Sequence, residues 1–365
     1  RTMTQPARAI LASLEQHLND APLIASRLSA RGFAPTNHQL LTKQTCAKVR
    51  DRLPRLFRGE FDTGNYPDEW HWREGISKEH AAREICNAWK SDRTIASVVL
   101  NEELGRLVAE VMDWDSVRIA QDDLVWKPPS PQYDSNTRGA VGRELGAQRR
   151  IDTVGFHQDS AYISTQFEPY DSNSVTLWMA LEDVDKESGC VEYAVGSHKW
   201  RPLLHYAEGS ENEKERNSGS GSEISSFHSA DETSYRNSML VAANLAECGD
   251  PQETIEAVPV KEGHAIFHHQ DVFHGSGPNM STHRHRRALV GHYIRGDVSF
   301  VTSGSNSRSK QNGPFGTSSY IYGRYRHYNS VDVDASFFPV IYGRGGGNNL
   351  SRTEWVDEFI STSNS

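Results

Sequence analysis

Two histidines and an aspartate occur in the order His157-x-Asp159 and then, far downstream, His274. One hard carboxylate and two borderline imidazoles suit a first-row divalent metal. Gathered on one face of a ferrous ion, they leave the other face open for a co-substrate and oxygen. The chain also offers a rival, because His269-Gln-Asp271 repeats the spelling of His157-Gln-Asp159. With His269 and Asp271 as ligands, His274 would be a third from the same short loop, and the strand-like run before His157 would have no purpose. His157, Asp159 and His274 are therefore the favoured set, and His269 and Asp271 read as loop or outer-sphere groups. On a strand, residues two apart leave the same face, which would aim His157 and Asp159 at one ion. The turn through Gly275 and Gly277 would let the backbone pass close to it.

A 2-oxo acid fits such an open face, and 2-oxoglutarate would also need a cation for its distal carboxylate. Arginine suits that task because its planar fork meets both oxygens at once, where lysine offers a point charge. Arg286 and Arg287 open an apolar run downstream of His274. Strand alternation lets only one of the two point inward.

The elements that must position these groups come in two blocks. Ile10, Leu11, Leu14 and Leu18 share a helical face, with an end expected at Asn19 and Asp20 before Pro22. Val49, Leu53, Leu56 and Phe57 suggest a second helix that Pro54 should kink or end. Leu104, Leu107, Val108 and Val111 give the clearest helical spacing. From about residue 115 the period changes to two, with strand-like runs at 117–119, 124–126, 152–156, 174–181, 190–195, 255–260, 265–268 and 287–294. Many short strands separated by turns favour a sandwich or jelly roll over a parallel α/β sheet. Residues 208–235 and 303–319 are rich in Ser, Gly and Asn and read as mobile surface insertions.

Bulk properties exclude several functions. The 39 Lys and Arg against 48 Asp and Glu give a net charge of -9, which argues against a nucleic-acid surface. No run approaches the apolar length of a membrane span, so no membrane partner is expected. The first residues do not read as a secretory signal, although a chain that begins with Arg leaves room for a removed targeting segment. Cys46, Cys86, Cys190 and Cys248 are scattered, as for free thiols in a reducing compartment such as the cytoplasm or an organellar lumen. Nothing in the sequence sets the oligomeric state.

Residues 66–75 carry Trp70, Trp72 and Arg73 and have two readings. They either plug the seam between helices and sheet or form a wall of the substrate pocket. Further polar candidates near the pocket are Gln121, Asp123, Lys127 and Arg149, and together they suggest a small polar or carboxylate-bearing metabolite.

Phe156-His157-Gln-Asp159, Thr176-Leu-Trp178-Met-Ala-Leu-Glu-Asp, Gly189-Cys-Val-Glu, Val195-Gly-Ser-His198 and His274-Gly-Ser-Gly-Pro-Asn279 follow one another in a fixed order. Together they resemble the phytanoyl-CoA dioxygenase family, over a stretch from about Asp122 to Tyr293. The resemblance implies a double-stranded β-helix (a cupin-like jelly roll) with flanking N-terminal helices, using Fe(II), 2-oxoglutarate and O2. It implies His157, Asp159 and His274 as iron ligands and Arg286 as the grip on the distal carboxylate. Arg287 is the alternative, since His274 and Arg286 stand one residue further apart than the family pattern has them. It further implies Ser276 as a hydroxyl helping that grip, Trp178 as a pocket wall and Lys127 as a cofactor-side group. The expected organisation is one oxygenase domain over 1–365. Residues 1–114 would be mainly helical, 115–300 the jelly-roll core with an insertion at 208–238, and 301–365 a loop-rich extension. The expected reaction oxidises an unactivated C–H bond by hydroxylation, desaturation or cyclisation, releasing succinate and CO2. The competing readings are a jelly-roll metal dioxygenase that does not use 2-oxoglutarate, against which Arg286 argues, and a non-catalytic binding protein.

Overall fold

Helix α1 (Leu14–Arg31) buries His17, Ala21, Ile24 and Leu28 along one stripe. The computed structural model describes residues 10–130, 153–200, 236–301, 320–345 and 350–361. In it α1 runs through Pro22 instead of ending before it. An interior proline costs about 3 kcal/mol, and the buried stripe on both sides of it outweighs that. The stop comes at Gly32, whose φ of 86° is left-handed and whose N–H caps Leu28 O. Helix α2 (Lys43–Phe57) likewise holds Pro54, but in its last turn, where Val49, Leu53, Leu56 and Phe57 are buried. Helices α3 (Arg93–Val99) and α4 (Glu102–Met112) follow, the latter with the expected Leu104, Leu107, Val108 and Val111 inward.

Among the described residues, eight strands form one antiparallel sheet. Its order is β1 (Phe33–Pro35), β10 (Ala265–His269), β7 (Ser174–Ala180), β12 (Arg286–Arg295), β4 (Ser116–Lys127), β3 (Arg83–Cys86) and β2 (Glu69–Trp70), with β14 (Val340–Gly343) also on β4. A smaller sheet runs β5 (Val154–His157), β11 (His274–Ser276), β8 (Val191–Ala194) and β9 (Ile255–Val258). A short pair, β6 (Phe167–Glu168) and β13 (Ser299–Phe300), completes the strands. This is a jelly roll, with helices packed on the outer face of the large sheet.

Alternation decides what each face meets. On β7, Val175, Leu177 and Met179 join Leu124, Phe267 and Leu289 in the core under the helices. Trp178 and Ala180 turn the other way, into the core with Tyr193, Val258 and Ile266 between the two sheets. The two runs expected at 117–119 and 124–126 form the single strand β4. Its register with β12 slips between His292 and Tyr293, pairing them with Gln121 and Ile119. That bulge turns Gln121, Asp123 and Val125 toward the sheet interior while Val117 and Ile119 stay with the helices.

The first 114 residues are not only helical, because β1, β2 and β3 extend the large sheet at both edges. The segment after residue 301 likewise adds β14 and the helix Trp355–Ser361, whose Trp355 stacks on Trp89. The expected insertion at 208–238 lies outside the described residues as far as 235, as do 303–319. No helix among the described residues is long and apolar enough to cross a membrane.

Candidate metal centre and substrate cavity

His157 ends β5 and His274 begins β11, directly opposite one another in the small sheet, with ring centroids 4.3 Å apart. Asp159 arrives differently from the same-face strand geometry expected of it. The strand stops at His157, and Asp159 opens a 3₁₀ turn, Asp159–Ala161. Its Oδ1 lies 3.6 Å from His157 Nε2 and 3.6 Å from His274 Nε2. The three donor atoms lie within 4.8 Å of one another. Each imidazole is oriented from behind: His157 Nδ1 is 2.8 Å from Gly155 O, and His274 Nδ1 is 3.0 Å from Val272 O. Nδ1–H therefore donates to backbone, and the Nε2 lone pairs converge beside a carboxylate oxygen. That donor set fits a divalent metal such as iron. The sheet can close this tightly because residue 275 is glycine. A Cβ there would sit 2.7 Å from Phe156 Cδ2 and 2.8 Å from Val154 O.

Electrostatics favour the same state. Burial holds the pKa of His274 well below the imidazole range, leaving a neutral ring as a metal ligand must be. Burial opposes charge on Asp159, but the surrounding histidines, His274, His157 and His268, outweigh it and hold the carboxylate well below its usual pKa. Asp159 Oδ2, the oxygen not facing His157 and His274, accepts from Thr176 Oγ1 and from His268 Nε2 at 3.0 Å. His268 Nδ1 in turn meets Tyr193 OH at 3.0 Å. Burial also opposes charge on His292, yet its contact with Asp123 and the field of Asp159 raise its pKa above the usual value.

Of the two arginines, Arg286 points inward onto the cavity and is only 2% exposed. It lies over the Trp178 ring at 4.8 Å, and its Nε has no hydrogen-bond partner among the described residues. Burial pushes its pKa down to about 10, so it remains a cation at neutral pH. Arg287 points to the opposite face and clasps Glu182 at 2.9 and 2.6 Å. Ser276 lines the cavity, and its Oγ accepts from the buried Lys127 Nζ at 2.7 Å. Lys127 also donates to Gly277 O at 2.7 Å. It therefore ties β4 to the turn after β11, and it is not among the described residues lining the cavity.

Beyond the metal centre the cavity is lined by Glu84, Cys86, Gln121, Asp123, Tyr162 and Ile163. Trp70, Trp72 and Arg73 are not among its described lining. Trp70 packs on Phe61 at 5.2 Å, and Arg73 stacks on Trp70 at 3.4 Å. Trp72 packs on Phe57 at 6.0 Å beneath Arg83. They fill the helix–sheet seam because β2 lies two strands out from β4. Arg149 falls outside the described residues. The repeated motif does not join the metal centre either: His269 Nδ1 accepts from Asp271 N, and Asp271 accepts from Tyr170 OH. Thr176, His268 and His292 were missed by the sequence reading. Their signal was parity, since each shares an inward face with Trp178, Ile266 or Arg286.

Jelly roll and donor set together define an Fe(II)- and 2-oxoglutarate-dependent oxygenase. The sequence profile of the phytanoyl-CoA dioxygenase family matches residues 30–288, and the chain belongs to that family. A search of the curated proteins finds no match. Among solved structures, the chain is similar in fold to the epimerase SnoN from nogalamycin biosynthesis, in complex with Fe3+, alpha ketoglutarate and nogalamycin RO. The TM-score is 0.53 at 15% identity, covering 88% of this chain and 99% of that one. It is also similar to the non-heme alpha ketoglutarate dependent carbocyclase SnoK, with TM-score 0.53 at 16% identity, covering 87% and 95%.

Proposed function

We propose that His157, Asp159 and His274 hold iron, that Arg286 binds the distal carboxylate of 2-oxoglutarate, and that the enzyme oxidises an unactivated C–H bond of a small polar metabolite. The observation that carries this is one cavity shared by a three-donor cluster within 4.8 Å and a buried guanidinium whose Nε lacks a partner among the described residues. Iron, when bound, would let O2 oxidise both partners, one oxygen atom going to 2-oxoglutarate as it decarboxylates to succinate and CO2 and the other oxidising equivalent removing hydrogen from the substrate carbon. The chain's own residues supply orientation and exclusion of water. Arg286 fixes the far end of the co-substrate. Ser276, whose oxygen already accepts from Lys127, has its proton left to donate beside it. Trp178, Val191 and Val290 line the cavity with apolar surface.

The substrate would lie toward Gln121, Asp123 and Glu84. This wall favours hydroxyl or amino groups on the substrate over the carboxylate also considered from sequence. Arg286 is the only arginine or lysine among the described lining residues, and the co-substrate needs it. An epimerase and a carbocyclase share this fold, and fold alone does not fix the outcome of hydrogen removal. Hydroxylation, desaturation and ring closure are therefore distinguished by product analysis.

Anaerobic titration with Fe(II) and then 2-oxoglutarate tests the proposal. A weak visible charge-transfer band should appear only when both are present. Iron binding without that band would instead favour a metal dioxygenase that does not use 2-oxoglutarate. A metabolite screen reading succinate release above the uncoupled rate then identifies the substrate.

A further inference from the structure

The inner face of the large sheet carries a line of polar groups from Asp159 to the far wall of the cavity, and each proton in it can be assigned. Thr176 and His292 are cross-strand neighbours on β7 and β12, and His292 faces Gln121 on β4. A hydroxyl has one proton, and Thr176 gives it to Asp159 Oδ2, an acceptor. Thr176 Oγ1 must then accept from His292 Nδ1, 2.8 Å away. With Nδ1 protonated, His292 Nε2 lies 2.8 Å from Asp123 Oδ2, so one further proton is held between ring and carboxyl. Gln121 Nε2 donates to both Asp123 oxygens, at 2.8 and 3.0 Å, while its Oε1 accepts from Tyr322 OH at 3.0 Å. His268, the other donor to Asp159 Oδ2, needs only one proton, because Tyr193 OH can donate to its Nδ1.

We propose that Thr176 and His292 are positioning residues that hold Asp159 so that Oδ1 alone faces the metal, and that tie this carboxylate through a fixed order of donors to Asp123 on the substrate wall. A carboxylate free to turn presents Oδ1 to the metal for only part of the time, so the metal is held less tightly. The line also runs between the two places that must communicate, the metal and the surface the substrate touches. This inference rests on the reading of His157, Asp159 and His274 as metal ligands.

Mn(II) titration followed by electron paramagnetic resonance tests it without turnover. Thr176→Val keeps the shape and removes the hydroxyl, and it should weaken Mn(II) binding roughly 10- to 100-fold, as loss of outer-sphere partners does. Thr176→Ser keeps the hydroxyl and loses the methyl, and should stay within about threefold of wild type, below that window. A role in packing alone gives the opposite order. His292→Phe, which keeps ring volume without nitrogens, should weaken binding in the same direction as valine. Wild-type affinity in either the valine or the phenylalanine variant overturns the positioning role while leaving the metal site standing. Failure of the wild-type chain to bind Mn(II) overturns the metal site and this inference together.

Discussion

Arg286→Lys keeps a cation at the head of β12 and removes the fork. In the proposed complex the guanidinium makes two parallel bonds to the distal carboxylate, and an ammonium at that depth keeps one. A hydrogen bond to a charged group contributes about 1.5–3 kcal/mol, so the dissociation constant for 2-oxoglutarate should rise roughly 10- to 150-fold at about 1.4 kcal/mol per decade. The assay is titration of the Fe(II) protein with 2-oxoglutarate under argon, read at the charge-transfer band. The matched control is Arg287→Lys, next along the strand but on the outer face against Glu182. It should leave co-substrate affinity within about twofold and lower stability by at most about 1 kcal/mol, the range of a partly exposed ion pair. A shift in affinity from the Arg287 variant with none from the Arg286 variant would refute the assignment and reverse the roles of the two arginines.

Three further outcomes follow from the geometry. Gly275→Ala drives a Cβ into Phe156 and the Val154 carbonyl, parting β11 from β5, so His157 and His274 should no longer chelate and Mn(II) binding should collapse; wild-type binding would show the strands have slack. Leu289→Ala empties a fully buried position under the helices and should cost about 2–5 kcal/mol in denaturant unfolding, whereas a loss below about 1 kcal/mol would contradict tight packing there. Asp185 is pulled down to about 2 by Arg284 and the Ser188 amide, so the stabilisation from its charge is complete above its ordinary value of 3.8 and fades as pH falls through 2. In Arg284→Ala its carboxyl resonance should titrate closer to 3.8, and a midpoint still at 2 would assign the shift to Ser188 alone.

How much of this was legible in sequence depends on what a local pattern can carry. Period two revealed the strands, and their parity allowed just one inward arginine without saying which. Register then matters, because Arg286 shares its face with Ala288, Val290 and His292. The His-x-Asp spacing pointed to residues that do come together, but for a reason that does not hold, since Asp159 arrives by a turn. Pro22 misled because tertiary burial overrode a local penalty, whereas Pro54 falls in the last turn of its helix, near the end expected of it. Trp70, Trp72 and Arg73 had two readings because aromatics serve seams and pockets alike, and only the strand order separates them. His268 and His292 stayed hidden because a histidine inside an apolar strand looks like any other core residue until its partners from distant strands are known.

The short edge strand β1 reaches further than its three residues suggest. Phe33 stacks on Tyr193 with centroids 4.3 Å apart, Tyr193 meets His268, and His268 meets the carboxylate of Asp159. Trimming the chain to start after β1, as one would to isolate a minimal barrel, would bare the backbone of β10 along the sheet's rim and withdraw the ring that backs this row. The opening segment of the protein, through β1, is thus part of the scaffold of the proposed iron pocket, and removing it should loosen chemistry that sits more than a hundred residues away in sequence.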